Sequence, residues 1–337
     1  MNINRPTEPA YAGGLSFQKV PLVLDPAELR GADVAIVGAP VDEAVSHRPG
    51  ARLGPREIRI AVDGGGPPES WHMDLGVDPF AELKIVDHGD AAVVPGDIAR
   101  SHSAIQEAVG AVVSAGAIPI VLGGDHSIAR PDITAVASRL EPGSLAVVQF
   151  DTHADTATDV WGLSASHGSP FRHLVDERVV AGHRLVQVGL RGGWPGPPEF
   201  EWMRSVGVRW HRMEQVRERG IDDTIAEVLG AIEDADALFV SVDVDVLDPA
   251  FAPGTGTPEP GGMETWQLLR AVRRLVVERG LAGMEVVEVS PPFDHSGITA
   301  LAAHRVVLEA LSALAVHRRG GAVEPEEPSL AYMRRIP

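Results

Sequence analysis

Six side chains in three short stretches have the types and spacing to hold metal ions. They are His126 in GGDHS (123–127), Asp151, His153 and Asp155 in DTHAD (151–155), and Asp243 and Asp245 in SVDVDVLDP (241–249). Four carboxylates on one spot would repel strongly, and bound cations remove that repulsion. A pair of divalent ions held close together is a known device for activating water. In an extended segment residues i, i+2 and i+4 share one face, so pleating would point Asp151, His153 and Asp155 the same way, and Asp243 with Asp245. A lone Asp-x-Asp or Asp-x-His is ordinarily a turn or a helix start. Three such clusters, each directly after an apolar run rich in β-branched residues (118–122, 145–150 and 237–242), favour ligands over turns.

The elements that must position these residues alternate along the chain. Strands are expected at 34–37, 83–86, 118–122, 145–150, 185–190, 238–242 and 284–289, with a shorter one at 208–210; helices are expected at 97–114, 131–138, 199–205, 221–232, 264–278 and 298–315. Apolar strands without polar alternation, each followed by a helix, predict an α/β fold: a three-layer α/β/α domain around a mostly parallel central sheet of about eight strands. Ligands in such sheets bind beyond the carboxyl ends of the strands, where the acidic clusters stand. The expected organisation is an N-terminal arm at 1–30, a single domain at 31–320 and a C-terminal tail at 321–337. The Gly/Pro-rich segment PGTGTPEPGG (253–262) lacks the spacing of a phosphate-cradling loop and reads as a wall of the site.

Composition narrows the chemistry. Cysteine is absent, which excludes disulfides, thiolate-bound zinc and a cysteine nucleophile. The net charge of −18, from 47 acidic against 29 basic residues, argues against nucleic acid or an anionic membrane as partner and suits cations. The N-terminus lacks a basic-then-apolar signal pattern, and no apolar stretch is expected to approach the roughly 20 residues that span a bilayer. The expectation is a cytoplasmic protein.

The blocks GGDHS, DTHADT with SHGSPF, SVDVDVLDPAFAPGTGTPEPGG and EVVEVSPPFD, together with RPGARLGPREIR at 48–59, resemble in order the signature segments of the ureohydrolase (arginase/agmatinase) family, on its agmatinase-like branch. The resemblance spans about residues 34–305. It implies an arginase/deacetylase-like fold and a hydrolase with two Mn2+ per subunit that releases urea from a guanidino compound. Nickel, cobalt or iron are alternatives for the same donor types. It further implies that His126 and Asp155 serve one ion, His153 and Asp245 the other, and Asp151 and Asp243 both. A homo-oligomer, trimeric or hexameric, is implied as well.

A guanidinium is resonance-stabilised and cationic, hence a poor electrophile. Glu288 would accept hydrogen bonds from its nitrogens, since a two-oxygen acceptor matches that fork. The leaving amine must gain a proton, and His167 in SHGSPF is the candidate donor, its ordinary pKa suiting transfer near neutrality. Candidates for the substrate tail are Asp159 for an ammonium, Arg172 or Arg191 for a carboxylate, and Trp161, Trp194 and Thr255 as pocket wall. The tryptophans read equally well as packing at a subunit contact. The expected reaction is agmatine to putrescine and urea. Alternatives are guanidinobutyrase, guanidinopropionase or guanidine hydrolase activity, and, from another class, a non-catalytic metal-binding regulatory protein. A dinuclear phosphoesterase is disfavoured because no downstream Gly-Asn-His or Gly-Asn-Asp block follows.

Overall fold

Apolar runs without polar alternation need cover on both faces, and the central sheet is built accordingly. The computed structural model describes residues 12–61 and 70–321. Its strands are β1 (Val34–Ala39), β2 (Ile85–Asp90), β3 (Ile118–Gly123), β4 (Leu145–Phe150), β5 (Leu185–Leu190), β6 (Arg209–Arg212), β7 (Ala237–Asp243) and β8 (Gly283–Val287). They form one eight-stranded sheet in the order β2-β1-β3-β8-β7-β4-β5-β6, every pair parallel. Every residue of β1, β4 and β5 is buried.

Among the described residues ten α-helices accompany the strands: α1 (Gly54–Ile60), α2 (Pro79–Glu82), α3 (Ile98–Ser114), α4 (Ala129–Ala137), α5 (Pro170–Asp176), α6 (Pro197–Val206), α7 (Met213–Arg219), α8 (Ile221–Ala231), α9 (Thr265–Arg279) and, after the last strand, α10 (Ile298–Arg318). Ile58, Val216, Ile225, Leu275 and Val307 pack against Ile36, Ile120 and Val148 on one face. Ile105, Ile133, Phe171 and Met203 pack against Val121 and Val147 on the other. Neighbouring strand residues thus serve opposite layers, which gives the three-layer domain expected from the pattern.

Several boundaries differ from the expectation. Strand β2 starts two residues later than its apolar run and continues to Asp90, while β8 stops at Val287, so Glu288 stands past the strand rather than on it. Helices α1, α2, α5 and α7 are too short for a 3.6-residue period to show, and the first three carry proline in the first turn. Helix α10, with a mean hydropathy of 1.5, is long and apolar enough to cross a membrane, contrary to the reading that no stretch approached that length. Its most apolar window is 83% buried inside the protein, as befits a core helix packed against α9. The segment before β1 is anchored: Phe17 and Leu29 are fully buried, and Phe17 stacks on His304. Residues 1–11 and 322–337, parts of the expected arm and tail, lie outside the described residues.

One line across the sheet breaks the apolar rule. Gln187 of β5, Gln149 of β4, Ser241 of β7 and Glu285 of β8 are direct neighbours in the strand register, and all are fully buried. This polar row runs beneath the acidic clusters.

Candidate metal centre

Each cluster is delivered by a strand that ends beneath it. After β3 the chain turns through Gly124, where an added Cβ would lie 2.4 Å from the carbonyl oxygens of Ala39 and Val41, so only glycine fits. Asp125 then caps a short turn by accepting the Ser127 N–H, which fixes His126 over the sheet. After β4, Asp151 accepts the N–H of His153 at 2.6 Å and the side-chain N–H of Gln149 at 2.7 Å. Gly189 of β5, at φ +118°, passes within 2.8 Å of the Asp151 carbonyl as measured from its would-be Cβ, which closes the floor there. Asp243 is the last residue of β7, and Asp245 sits in the turn Val244–Val246, its N–H donated to Asp243 at 2.8 Å.

The six candidate ligands converge, although pleating is not the means. Residues 151–155 lie outside β4 and Asp155 takes φ +52°, while Asp245 follows its strand in a helical turn. Tight turns, not a shared strand face, aim these side chains. Nδ1 of His126 lies 2.9 Å from Asp155, 3.1 Å from Asp151 and 3.3 Å from Asp243. Nδ1 of His153 lies 3.1 Å from Asp245 and 3.6 Å from Asp151. Ligand atoms of His126, Asp151 and Asp155, and of Asp151, His153 and Asp245, each fall within 4.8 Å of one another. Asp151 belongs to both groups.

The electrostatics fit cations. Burial, then the neighbouring Asp155 and Asp245, push the Asp151 carboxyl up to about 7. Burial, then Asp245 and Asp151, hold Asp243 well above its ordinary range. Burial opposes charge on His153 but the carboxylates around it, Asp245 first, raise it to about 10. Asp245 is pulled down to about 2 by His153 against the opposing effect of burial. This cluster therefore competes for positive charge, which protons supply alone and divalent ions supply better. Nδ1 of His126 is buried with no partner in hydrogen-bond geometry, although three carboxylates face it, and an ion between them resolves that arrangement.

A cavity of about 390 Å³ opens beside the cluster, lined by His153, Asp155, Asp243 and His167, by Ser46, His47, Val160, Trp161, Gly168, Trp194 and Thr257. His167 is held at both nitrogens. Nδ1 lies 2.8 Å from Oε1 of Glu288, and Nε2 accepts the backbone N–H of Ser46 at 3.0 Å with the Ser46 hydroxyl 2.8 Å away. Because a backbone N–H can only donate, the neutral ring carries its proton on Nδ1. Burial alone would discourage a second proton, yet the Glu288 carboxylate outweighs it and the ring is raised to about 9. Glu288 itself takes φ +66°, a strained setting for a non-glycine residue. Its Oε1 also accepts the His126 N–H at 3.0 Å, and its Oε2 is buried with no hydrogen-bond partner.

The tail candidates separate. Trp161, 86% exposed, and Trp194, tilted over the His153 ring at 5.9 Å, are on the cavity wall. Asp159 is not: its carboxylate accepts the Gly162 N–H at 2.8 Å in an exposed turn. Thr255 is fully buried and off the wall, and Thr257 stands there instead. Neither basic candidate faces the cavity. Arg172 pairs with Asp176 and stacks on Trp202, and Arg191 donates to the carbonyls of Asp245, Val246, Leu247 and Glu259. Sequence reasoning missed Ser46 and His47, which have no motif, and within the expected wall at 253–262 it picked Thr255 where Thr257 lines the cavity. It also missed Gln149, Ser241 and Glu285, whose signal was available as a polar residue inside an otherwise apolar strand.

The chain is similar to known proteins over most of its length. The model of the arginase family matches residues 32–313. Guanidinopropionase of Pseudomonas aeruginosa is 40% identical over 91% of this chain and 93% of its own length. Agmatinase of Chromobacterium violaceum is 38% identical over 90% and 89%. Proclavaminate amidinohydrolase of Streptomyces clavuligerus is 38% identical over 92% and 96%, and its solved structure superposes with a TM-score of 0.83, covering 92% of this chain and all of that one.

Proposed function

Because the chain belongs to the arginase family, whose members are metal-dependent amidinohydrolases, we infer that it cleaves a guanidino acid, a guanidinium on a tail ending in carboxylate, to urea and an amine. One observation carries the choice of tail. Among the described residues the cavity wall holds no acid beyond the candidate ligands Asp155 and Asp243, and its one ionisable group besides the candidate ligands and His167 is His47. A terminal ammonium would meet aromatic and aliphatic wall from Trp161, Trp194 and Val160. A carboxylate would meet an imidazole. Guanidinopropionase, the most identical of the three relatives above, is named for such a substrate.

The residues divide the work. His126, Asp151, His153, Asp155, Asp243 and Asp245 would hold two divalent ions, with manganese the best match to a carboxylate-rich set. Such ions supply a lowered pKa for water, from 15.7 to about 7. Glu288 offers its free Oε2 to the guanidinium, where a buried charge-assisted hydrogen bond both binds and orients the fork. Glu288 favours the charged form of the His167 ring, which would deliver a proton to the departing amine once Nε2 gives up the Ser46 N–H for a proton of its own. Trp194, tilted over the His153 ring, covers one side of the reacting end, and Trp161 stands exposed on the wall.

Agmatine is the second reading. Its support is the agmatinase relative at 38% identity. Its weakness is that Asp159, the nearest free-standing acid in the sequence to that wall, is spent on a turn. Urea release with manganese, measured on guanidinopropionate, guanidinobutyrate, agmatine, arginine and guanidine, decides between them. The expected result is a kcat/KM for one guanidino acid about tenfold or more above that for agmatine, the worth of one charged hydrogen bond. His47→Ala should raise KM for the acid with kcat nearly unchanged. Preference for agmatine would overturn the tail assignment.

A further inference from the structure

The polar row ends in a feature the reaction leaves unused. Glu285 of β8 and Asp132 of α4 are both fully buried, and neither Glu285 oxygen nor Oδ2 of Asp132 has a hydrogen-bond partner. The remaining oxygen of Asp132 accepts only the Ile133 N–H, at 2.5 Å. Buried carboxyls without partners are costly, and burial, then the neighbouring Glu285, hold the Asp132 carboxyl well above its ordinary range. Oε1 of Glu285 lies 3.6 Å from Nε2 of His126, and the hydroxyl of Ser241, beside Glu285 in the strand register, lies 2.9 Å from the same nitrogen. The other ring nitrogen, Nδ1, points the opposite way, at Asp151, Asp155 and Asp243.

A histidine binds a metal through a nitrogen lone pair, and its other N–H then needs an acceptor that fixes tautomer and ring orientation. We propose that Glu285, with Ser241 at its side and Asp132 behind it, is the positioning residue that keeps the proton of His126 on Nε2 and turns the Nδ1 lone pair toward the metal centre. Ser241 accepts the hydrogen bond. At 3.6 Å Glu285 is beyond hydrogen-bond range, and its carboxylate acts on the N–H through charge. The inference rests on His126 being a ligand, as proposed above.

The test is calorimetric titration of chelator-stripped protein with Mn2+ alone. Wild type should take up two ions. Glu285→Gln, which keeps the shape and removes the charge, should weaken one of the two by about 10–100-fold and leave the other unchanged. Glu285→Ala should do so at least as strongly, and His126→Ala should remove that same site. In a His126→Ala background, Glu285→Gln should add no further loss. Circular dichroism of the metal-free variants checks that each is folded. Two ions bound by Glu285→Gln with wild-type affinity, or an equal loss with and without His126, would overturn the positioning role. If His126→Ala itself keeps both ions tightly, the ligand assignment falls first and the inference with it.

Discussion

His167 and Asp151 both touch the reaction, but through different physical means, and substitution should separate them. His167 contacts Glu288 and Ser46 and none of the six candidate ligands. Its replacement by alanine is expected to leave metal content intact and to reduce kcat by about 10²–10⁴, the range for loss of a general acid. Asp151 is shared by both ligand groups, so Asp151→Asn should cost metal and turnover together. Elemental analysis beside the urea assay distinguishes the two, and full activity in both variants would refute the assignment of roles. At this scale the sequence was most legible where chemistry is concentrated in short blocks. The six candidate ligands, His167 and Glu288 stand in recognisable segments. Ser46 and His47 reach the cavity from a loop 120 residues away from His167, and nothing local in that loop announces the meeting.

Single elements carry a second kind of information. The loop after β7 was readable as a wall of the site from its glycines and prolines, yet what holds it was not. Arg191 gathers the carbonyls of Asp245, Val246, Leu247 and Glu259 into one guanidinium, a fork that a lysine cannot reproduce. Sequence alone offered Arg191 as an anchor for a substrate carboxylate, because a basic residue near a pocket has the same letter whichever way it points. Arg191→Lys is expected to lower stability by about 1–3 kcal/mol, from backbone acceptors left unsatisfied, and to shift the denaturant midpoint without changing which substrate is preferred. A change in substrate preference at unchanged stability would return Arg191 to the tail site. Strand ends show the same limit: the β-type pattern of 284–289 continues in the sequence to Val289, while the strand stops at Val287 and Glu288 takes φ +66° with its carboxylate on the His126 N–H and the His167 ring.

For the whole molecule the parallel sheet was the most legible property, since strand and helix alternate and both faces are apolar. The concentration of buried acid at one end of that sheet makes stability depend on cations. Any ion bound by the folded chain and not by the unfolded one stabilises by mass action, about 2.7 kcal/mol per site at a hundredfold excess over the dissociation constant. Thermal unfolding should therefore move upward with added Mn2+ and downward with chelator, and the shift should be about halved in His126→Ala. A midpoint indifferent to both would contradict a metal centre here.

The register of the polar row has a further consequence for how such a protein can diverge. Gln187, Gln149, Ser241 and Glu285 sit abreast on four strands, so losing or gaining one residue within β4, β7 or β8 would swing the next side chain to the opposite helical layer and slide valine under His126. The turns bearing Trp161 and Trp194 lie past the strand ends and obey no such restriction. Insertions and deletions there can remodel which molecule is admitted while the chemistry beneath is inherited unaltered.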